Sequence, residues 1–215
     1  MPDPKRWADG DFYLLRGLVT EAEQQALALA GAEIEKRAPF VVPRMRDGTP
    51  FRCSVTAAGE AIFLSTPARG YHYLRQHPVT YNSLPEIPRL AHVLGHRALL
   101  QADVGDLGLV FDTMLVNRYE AELGESLGLH VDEQEDDLDE PLVSISLGAD
   151  CEFLIGSTER DFKPDKVLVS SGDVLVLSGA ARMWHHGVRR VMTALVSPLP
   201  RGRRDAYLLR RVFRR

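Results

Sequence analysis

His130, Asp132 and His186 are the residues whose types and spacing could do chemistry in this 215-residue chain. In His130-Val131-Asp132 the imidazole and the carboxylate are two positions apart. On an extended strand, residues i and i+2 project from the same face, so the two groups can reach one point in space. His186 follows 56 residues after His130, far enough for the chain to return on a neighbouring strand. Two imidazoles and one carboxylate on one face of a metal leave its other positions open, an arrangement that suits non-heme Fe(II). The same donors also suit zinc. A bare His-x-Asp is common by chance and also describes two solvated residues of a surface strand, so the surroundings must decide.

Those surroundings are ordinary for a globular chain. Hydrophobic residues make up 45% and charged residues 26%, with a formal net charge of −4, which rules out a polycation. One domain, with or without an insertion, fits this length. Two cysteines, Cys53 and Cys151, are too few for a disulfide framework and point to a reducing, cytoplasmic setting. Residues 1–10 carry no apolar signal core, and no run of about 18 apolar residues could span a membrane. Charge is unevenly spread: residues 132–140 are almost all acidic, and residues 201–215 are dense in arginine. The acidic run is expected to be a solvated loop.

In the N-terminal part, residues 12–18 read as a strand. Thr20 with Glu23 forms a capping-box signature ahead of a helix over 21–37, in which Leu27, Ala30 and Ile34 recur at helical spacing. Asp47-Gly48 signals a hairpin-type turn. Phe63, Tyr71, Tyr73 and Tyr81 interleave with Arg69, His72, Arg75 and His77. Such a stretch can be an irregular segment packing its tyrosines on the core, or a surface that stacks on bases and holds phosphates. A second helix is expected over 89–100, with Leu90, Val93, Leu94 and Ala98 on its apolar side and His96 as a packed or solvated residue.

From residue 111 onward the pattern changes to short β-type runs separated by Gly, Ser and Asp. Strands are expected at 113–119, 128–132, 142–147, 152–155, 167–169, 174–177, 184–188, 193–197 and 207–213, with a tight turn at Ser170-Ser171-Gly172-Asp173. So many short strands in about a hundred residues imply a mainly β, α+β protein of the jelly-roll or cupin kind, with the helices bracing one sheet. His130-x-Asp132 ends one strand and His186 lies on another. By alternation His185 faces away and packs elsewhere.

Asn117-Arg118-Tyr119, His130-x-Asp132, 141–148 (PLVSISLG), Gly172-Asp173-Val174 and His186-Gly187 together resemble the AlkB family, Fe(II)- and 2-oxoglutarate-dependent dioxygenases that repair alkylated nucleic acids. Order and spacing match over residues 111–188. A weaker similarity runs upstream through Ala38-Pro39-Phe40 and Arg69-Gly70-Tyr71-x-Tyr73. The resemblance implies a double-stranded β-helix core over 111–215. The extension at 1–110 would carry a nucleotide-recognition lid at about 38–83, in one structural unit overall. It implies Fe(II) on His130, Asp132 and His186, with O2 and 2-oxoglutarate as cosubstrates. The reaction implied is oxidative dealkylation of bases of the 1-methyladenine or 3-methylcytosine type, yielding succinate, CO2 and formaldehyde. The expected partner is alkylated single-stranded DNA or RNA, with duplex DNA as a further option, and the protein is expected to act as a monomer.

Asn117 and Tyr119 would supply polar contacts to 2-oxoglutarate, and two arginines on the last strand would grip its carboxylates. This chain departs from the family ending there. Aligning Phe213-Arg214 with that ending places Leu208 where the first arginine belongs and leaves Arg210 and Arg214 as the candidates. Keeping the six-residue arginine spacing selects Arg204 and Arg210 instead. The first register is the one preferred on the local pattern. On the substrate side the resemblance implies Phe63 for stacking on the base, Tyr71 for a phosphate, and Arg160 as a further contact. Gln134 stands where some relatives place an acid against the base. Two other readings compete: a hydroxylase of the same chemistry acting on a protein or small molecule, and a cupin-like module holding zinc without turnover.

Overall fold

The computed structural model describes residues 5–6, 11–105, 108–159, 161–193 and 197–214. Two strands, β1 (Lys5–Arg6) and β2 (Asp11–Leu15), precede helix α1 (Glu21–Arg37). Thr20 caps α1: its hydroxyl accepts from the Glu23 backbone while the Glu23 carboxylate accepts from the Thr20 backbone. Next come β3 (Ser54–Gly59), β4 (Ile62–Thr66), β5 (Gly70–Leu74) and helix α2 (Arg89–Ala102). The remainder is strand: β6 (Thr113–Glu120), β7 (Leu127–His130), β8 (Leu142–Gly148) and β9 (Cys151–Ile155). After these lie β10 (Asp165–Val169), β11 (Val174–Ser178), β12 (His186–Val191) and β13 (Arg203–Arg210).

The strands form a seven-stranded sheet in the order β1-β2-β11-β8-β13-β6-β3 and a four-stranded sheet in the order β10-β9-β12-β7. Every pairing is antiparallel. From β6 onward the chain changes sheet at every strand except between β9 and β10, which pair within the small sheet, and this winding is the double-stranded β-helix. Along the strands of the large sheet, side chains go alternately to two cores. One core lies under the helices and contains Leu27, Leu94, Phe111, Tyr207 and Leu209. The other lies between the sheets and contains Leu115, Tyr119, Phe153, Ala206 and Leu208. The helices therefore brace the large sheet and leave the interior between the sheets for the site.

Four local expectations are corrected. The buried side of α2 is Ala91, Leu94, Gly95, Ala98, Leu99 and Ala102, whereas Val93 is exposed. Small residues let α2 approach closely: a Cβ on Gly95 would collide with Phe111 and Leu209. The aromatic stretch is regular, because β4 and β5 pair as a hairpin with Phe63 opposite Tyr73. The strand expected at 184–188 begins at His186, since Trp184 ends a 3-10 turn. The last strand starts four residues earlier than expected, at Arg203, and that shift matters for the site. The 193–197 strand falls largely outside the described residues.

Turn chemistry joins the strands as the sequence suggests. At Ser170–Asp173, Gly172 takes φ +86°, and the Asp173 carboxylate accepts from the Ser170 backbone at 2.9 Å. No helix among the described residues is long and apolar enough to cross a membrane.

Candidate metal and cosubstrate site

Strand pairing sets the three candidate ligands. β7 and β12 are neighbours, and His130 pairs directly with His186. Asp132 lies just past the end of β7. One ligand atom from each of His130, Asp132 and His186 falls within 4.8 Å of the other two. His130 Nε2 is 3.8 Å from Asp132 Oδ1, and His186 Nε2 is 3.7 Å from Asp132 Oδ2. The other ring nitrogens face backbone carbonyls: His130 Nδ1 is 2.9 Å from Gly128 O and His186 Nδ1 is 3.0 Å from Trp184 O. A carbonyl can only accept, so each Nδ1 carries the hydrogen and each Nε2 lone pair turns toward the cluster. His186 also stacks on Phe153, with ring planes 16° apart. His185 bonds instead to Ser157 O, away from the cluster.

Protonation favours a cation. Burial pushes the His130 imidazole down to about 4, with His186 adding to the effect, so the ring is neutral at physiological pH. Burial alone would raise the Asp132 carboxyl. The Arg210 guanidinium and the two imidazoles outweigh it and hold the group well below the usual carboxylate range. Two imidazoles and one carboxylate, already turned inward, form a donor set that fits a divalent metal with open positions.

Arg204 and Arg210 project from β13 on the same face, and both are almost fully buried, at 1% and 3% exposure. Arg204 pairs in register with Tyr119 of β6 and Gly148 of β8. Its Nη2 donates to Ser146 Oγ at 2.8 Å, while its Nε and Nη1 have no hydrogen-bond partner. Arg210 Nη2 donates to Asp132 Oδ2 at 3.1 Å, Nη1 donates to Glu135 and to the Tyr73 hydroxyl, and Nε has no partner. Buried guanidinium N–H groups without acceptors are costly. A diacid lying between the two arginines would satisfy them, so the donor set also fits 2-oxoglutarate. Tyr119 is fully buried, its phenol pushed far up by burial, and Asn117 of the same strand hydrogen-bonds to it.

Arg214 is the correction that follows from the strand shift. It lies beyond β13, its side chain is 67% exposed, and its nearest anions are Asp137 and Asp139 at 3.9 and 3.6 Å. The six-residue spacing, Arg204 with Arg210, is the one the fold turns inward. The acidic run is not simply solvated either. Glu135 and Asp137 are buried, and Arg182, Arg210, Arg211 and Arg214 neutralise them.

The remaining predicted residues are placed as follows. Phe63 stacks on Tyr71 with centroids 5.7 Å apart, and Tyr71 is 49% exposed. Tyr73, the cross-strand partner of Phe63, points inward, and its hydroxyl donates to Glu135 at 3.0 Å. Gln134 is exposed. Arg160 lies outside the described residues. Sequence reasoning missed Glu135, Arg182, Tyr73 and Ser146. The signal for Ser146 was one of two hydroxyls, with Ser144, in an otherwise apolar strand; for Glu135, a carboxylate three residues past Asp132.

A double-stranded β-helix with an inward His-Asp-His cluster and two buried arginines defines a non-heme iron, 2-oxo-acid oxygenase. The comparisons agree. The model of the 2OG-Fe(II) oxygenase superfamily matches residues 11–207. The chain is 38% identical over 205 residues to the "Alpha-ketoglutarate-dependent dioxygenase AlkB homolog" of Caulobacter vibrioides, covering 93% of this chain and 87% of that one. A 70-residue segment is 41% identical to "Nucleic acid dioxygenase ALKBH1" of Homo sapiens, covering 33% of this chain and 18% of that one. The solved structure of OsALKBH1 superposes with a TM-score of 0.81 at 25% identity, covering 96% of this chain and 99% of that one. The chain belongs to the AlkB family of the 2OG-Fe(II) oxygenase superfamily. It is an Fe(II)- and 2-oxoglutarate-dependent dioxygenase that uses O2.

Proposed function

We propose that this enzyme removes alkyl groups oxidatively from base nitrogens of DNA or RNA. In this reading His130, Asp132 and His186 hold the iron. Arg204, Arg210, Asn117 and Tyr119 hold 2-oxoglutarate, and the β4–β5 hairpin is the lid that receives the base. One observation carries the substrate side: the aromatic hairpin reaches into the site through Tyr73, whose hydroxyl meets the same Arg210 that donates to Asp132. Phe63 and exposed Tyr71 then stand on the outer part of that hairpin, where a base could stack. Relatives named as acting on nucleic acids support the reading.

Iron bound here supplies O2 activation coupled to decarboxylation of 2-oxoglutarate to succinate. The protein's part is orientation. The Nδ1–H bonds to Gly128 and Trp184 fix both imidazoles. Arg210 keeps Asp132 ionised, and Phe153 walls the site on the β9 side. A base must leave the stack to reach such an interior, and a single strand costs least to open, so single-stranded nucleic acid is the favoured form. Hydroxylation of an N-methyl carbon gives an N-hydroxymethyl base that releases formaldehyde. Cys53 and Cys151 are free, buried thiols, consistent with a reducing cytoplasm.

The test is turnover of 1-methyladenine and 3-methylcytosine oligonucleotides by iron-loaded enzyme. Equal amounts of succinate and formaldehyde are expected. Decarboxylation of 2-oxoglutarate without loss of the methyl group from any oligonucleotide would move the substrate to a protein or small molecule.

A further inference from the structure

We propose that Glu135 is a positioning residue of the metal centre: it draws the Arg210 guanidinium away from Asp132, leaving the Asp132 oxygens available to a cation. Arg210 Nη2 lies 3.1 Å from Asp132 Oδ2, the same oxygen that lies 3.7 Å from His186 Nε2. A guanidinium free to move would pair with that carboxylate through two parallel N–H groups, as arginine prefers. It would then cover both carboxylate oxygens and leave neither open to the ion. Here the second arm, Nη1, is taken by Glu135 and by the Tyr73 hydroxyl, so Arg210 spends only one arm on Asp132.

The device is built to hold. The Glu135 side chain is wholly buried. Tyr73 donates to the same Oε1 that receives Arg210. Arg182, buried and anchored by Nε to the Glu140 carbonyl at 3.0 Å, stands 3.6 Å from the other oxygen. Charge points the same way as geometry. Two arginines face two carboxylates in this cluster, and removal of Glu135 would leave two buried positive charges beside one carboxylate that must also bind a divalent cation. Groups that orient metal ligands from outside typically change metal affinity by about 10- to 100-fold when altered.

The inference rests on the proposed ligand set, and the experiment separates the two. Mn(II) binding to the full chain is titrated by the free-ion EPR signal, without 2-oxoglutarate or nucleic acid. Tight binding by the parent protein, lost in His130→Ala, is the behaviour the ligand set requires; a parent that does not bind Mn(II) sinks both ideas. Glu135→Gln is expected to weaken Mn(II) binding at least tenfold, and the same change in an Arg210→Gln background to have less than a twofold effect. Glu135→Gln alone leaves a buried charge uncompensated and could fail to fold. Glu135→Gln with Arg182→Gln keeps the charge balance and still frees Arg210, so it too should lose at least tenfold. A merely structural Glu135 would lower the melting temperature and leave Mn(II) affinity unchanged in the folded variants. Parental affinity in the folded single or charge-balanced variant, while His130→Ala abolishes binding, overturns the proposal and spares the ligand set.

Discussion

Arg204 and Arg210 stand six residues apart on one face of β13, both buried, and their partners divide the interior between them. Arg204 reaches Ser146 on β8, while Arg210 reaches Asp132 and the β4–β5 hairpin through Tyr73. Between them they hold three buried N–H positions with no acceptor: Arg204 Nε, Arg204 Nη1 and Arg210 Nε.

Arg204 should therefore matter to 2-oxoglutarate and Arg214 should not. A hydrogen bond to a charged group contributes about 1.5–3 kcal/mol, so Arg204→Met should raise the KM for 2-oxoglutarate roughly 10- to 100-fold. It should leave the melting temperature of the cosubstrate-free protein level or higher, because an under-satisfied buried charge is gone. Arg214→Ala should stay within twofold on both measures, since that side chain faces solvent. Succinate formation against 2-oxoglutarate concentration, with thermal melts, checks both variants. A larger KM effect for Arg214 would mean the last strand is out of register.

The brace under the large sheet has its own pH signature. Glu23 accepts two hydrogen bonds from Arg97 of α2, at 2.7 and 3.0 Å, as well as closing the α1 cap. The Arg97 hydrogen bond outweighs burial and, with Thr20, lowers the Glu23 carboxyl from 4.5 to about 2. The unfolded chain thus takes up this proton more readily than the folded one. The stabilisation is complete above pH 4.5 and is lost as pH falls through about 2. Glu23→Gln should cost roughly 1 kcal/mol near neutral pH, a partly exposed pair being screened by solvent. Denaturant midpoints of the two proteins should converge at the acid end; a constant offset would exclude this origin.

Local signals were legible where local physics decides. The capping box set the start of α1, the Ser-Ser-Gly-Asp turn joined two strands, and His-x-Asp with His-Gly marked two strands that pair at those histidines. What was not legible depends on partners distant in sequence. Arg203-Arg204-Asp205 falls outside the strand expected at 207–213 because three charged residues carry no strand signal of their own. It lies within a strand because Asp205 pairs with Arg118 of β6, and Arg204 finds Ser146. The acidic run reads as a solvated loop for the same reason. Nothing near Glu135 in sequence announces Tyr73, Arg182 or Arg210. Val93 was placed inside because it is apolar, but the helix instead presents Gly95 to the sheet, and close approach decided the face.

The hairpin's exposed ring should act on the polymer and not on the cosubstrate. Stacking of a base on an aromatic side chain contributes about 1–3 kcal/mol. Tyr71→Ala should weaken binding of a methylated single-stranded oligonucleotide roughly 5- to 100-fold by fluorescence anisotropy, with the KM for 2-oxoglutarate unchanged. Phe63→Ala should do the same and also lower stability, because Phe63 is half-buried against Tyr73. If Tyr71→Ala binds like the parent, the base stacks elsewhere.

The spacing between the two histidine strands depends on Gly187. β12 and β7 pair at His186 with His130 and at Val188 with Leu127, with a register shift between. At that shift the β7 backbone passes so close that a Cβ on Gly187 would lie 2.6 Å from the Leu127 carbonyl oxygen and 2.8 Å from that of Gly128. Neither atom belongs to a flexible side chain, so the strands themselves must part. The Gly128 carbonyl is also the acceptor that orients His130, so parting the strands moves His186 on β12 away from His130 and Asp132 and disturbs the His130 ring. Gly187→Ala should lower stability by about 1–3 kcal/mol, as overpacking does. It should weaken Mn(II) binding at least tenfold in the protein that still folds. Gly128→Ala is the control, because a Cβ there meets nothing within 4 Å. It should keep metal affinity within twofold of the parent. Equal metal affinities for the two variants would show that the ligands tolerate separation of the strands.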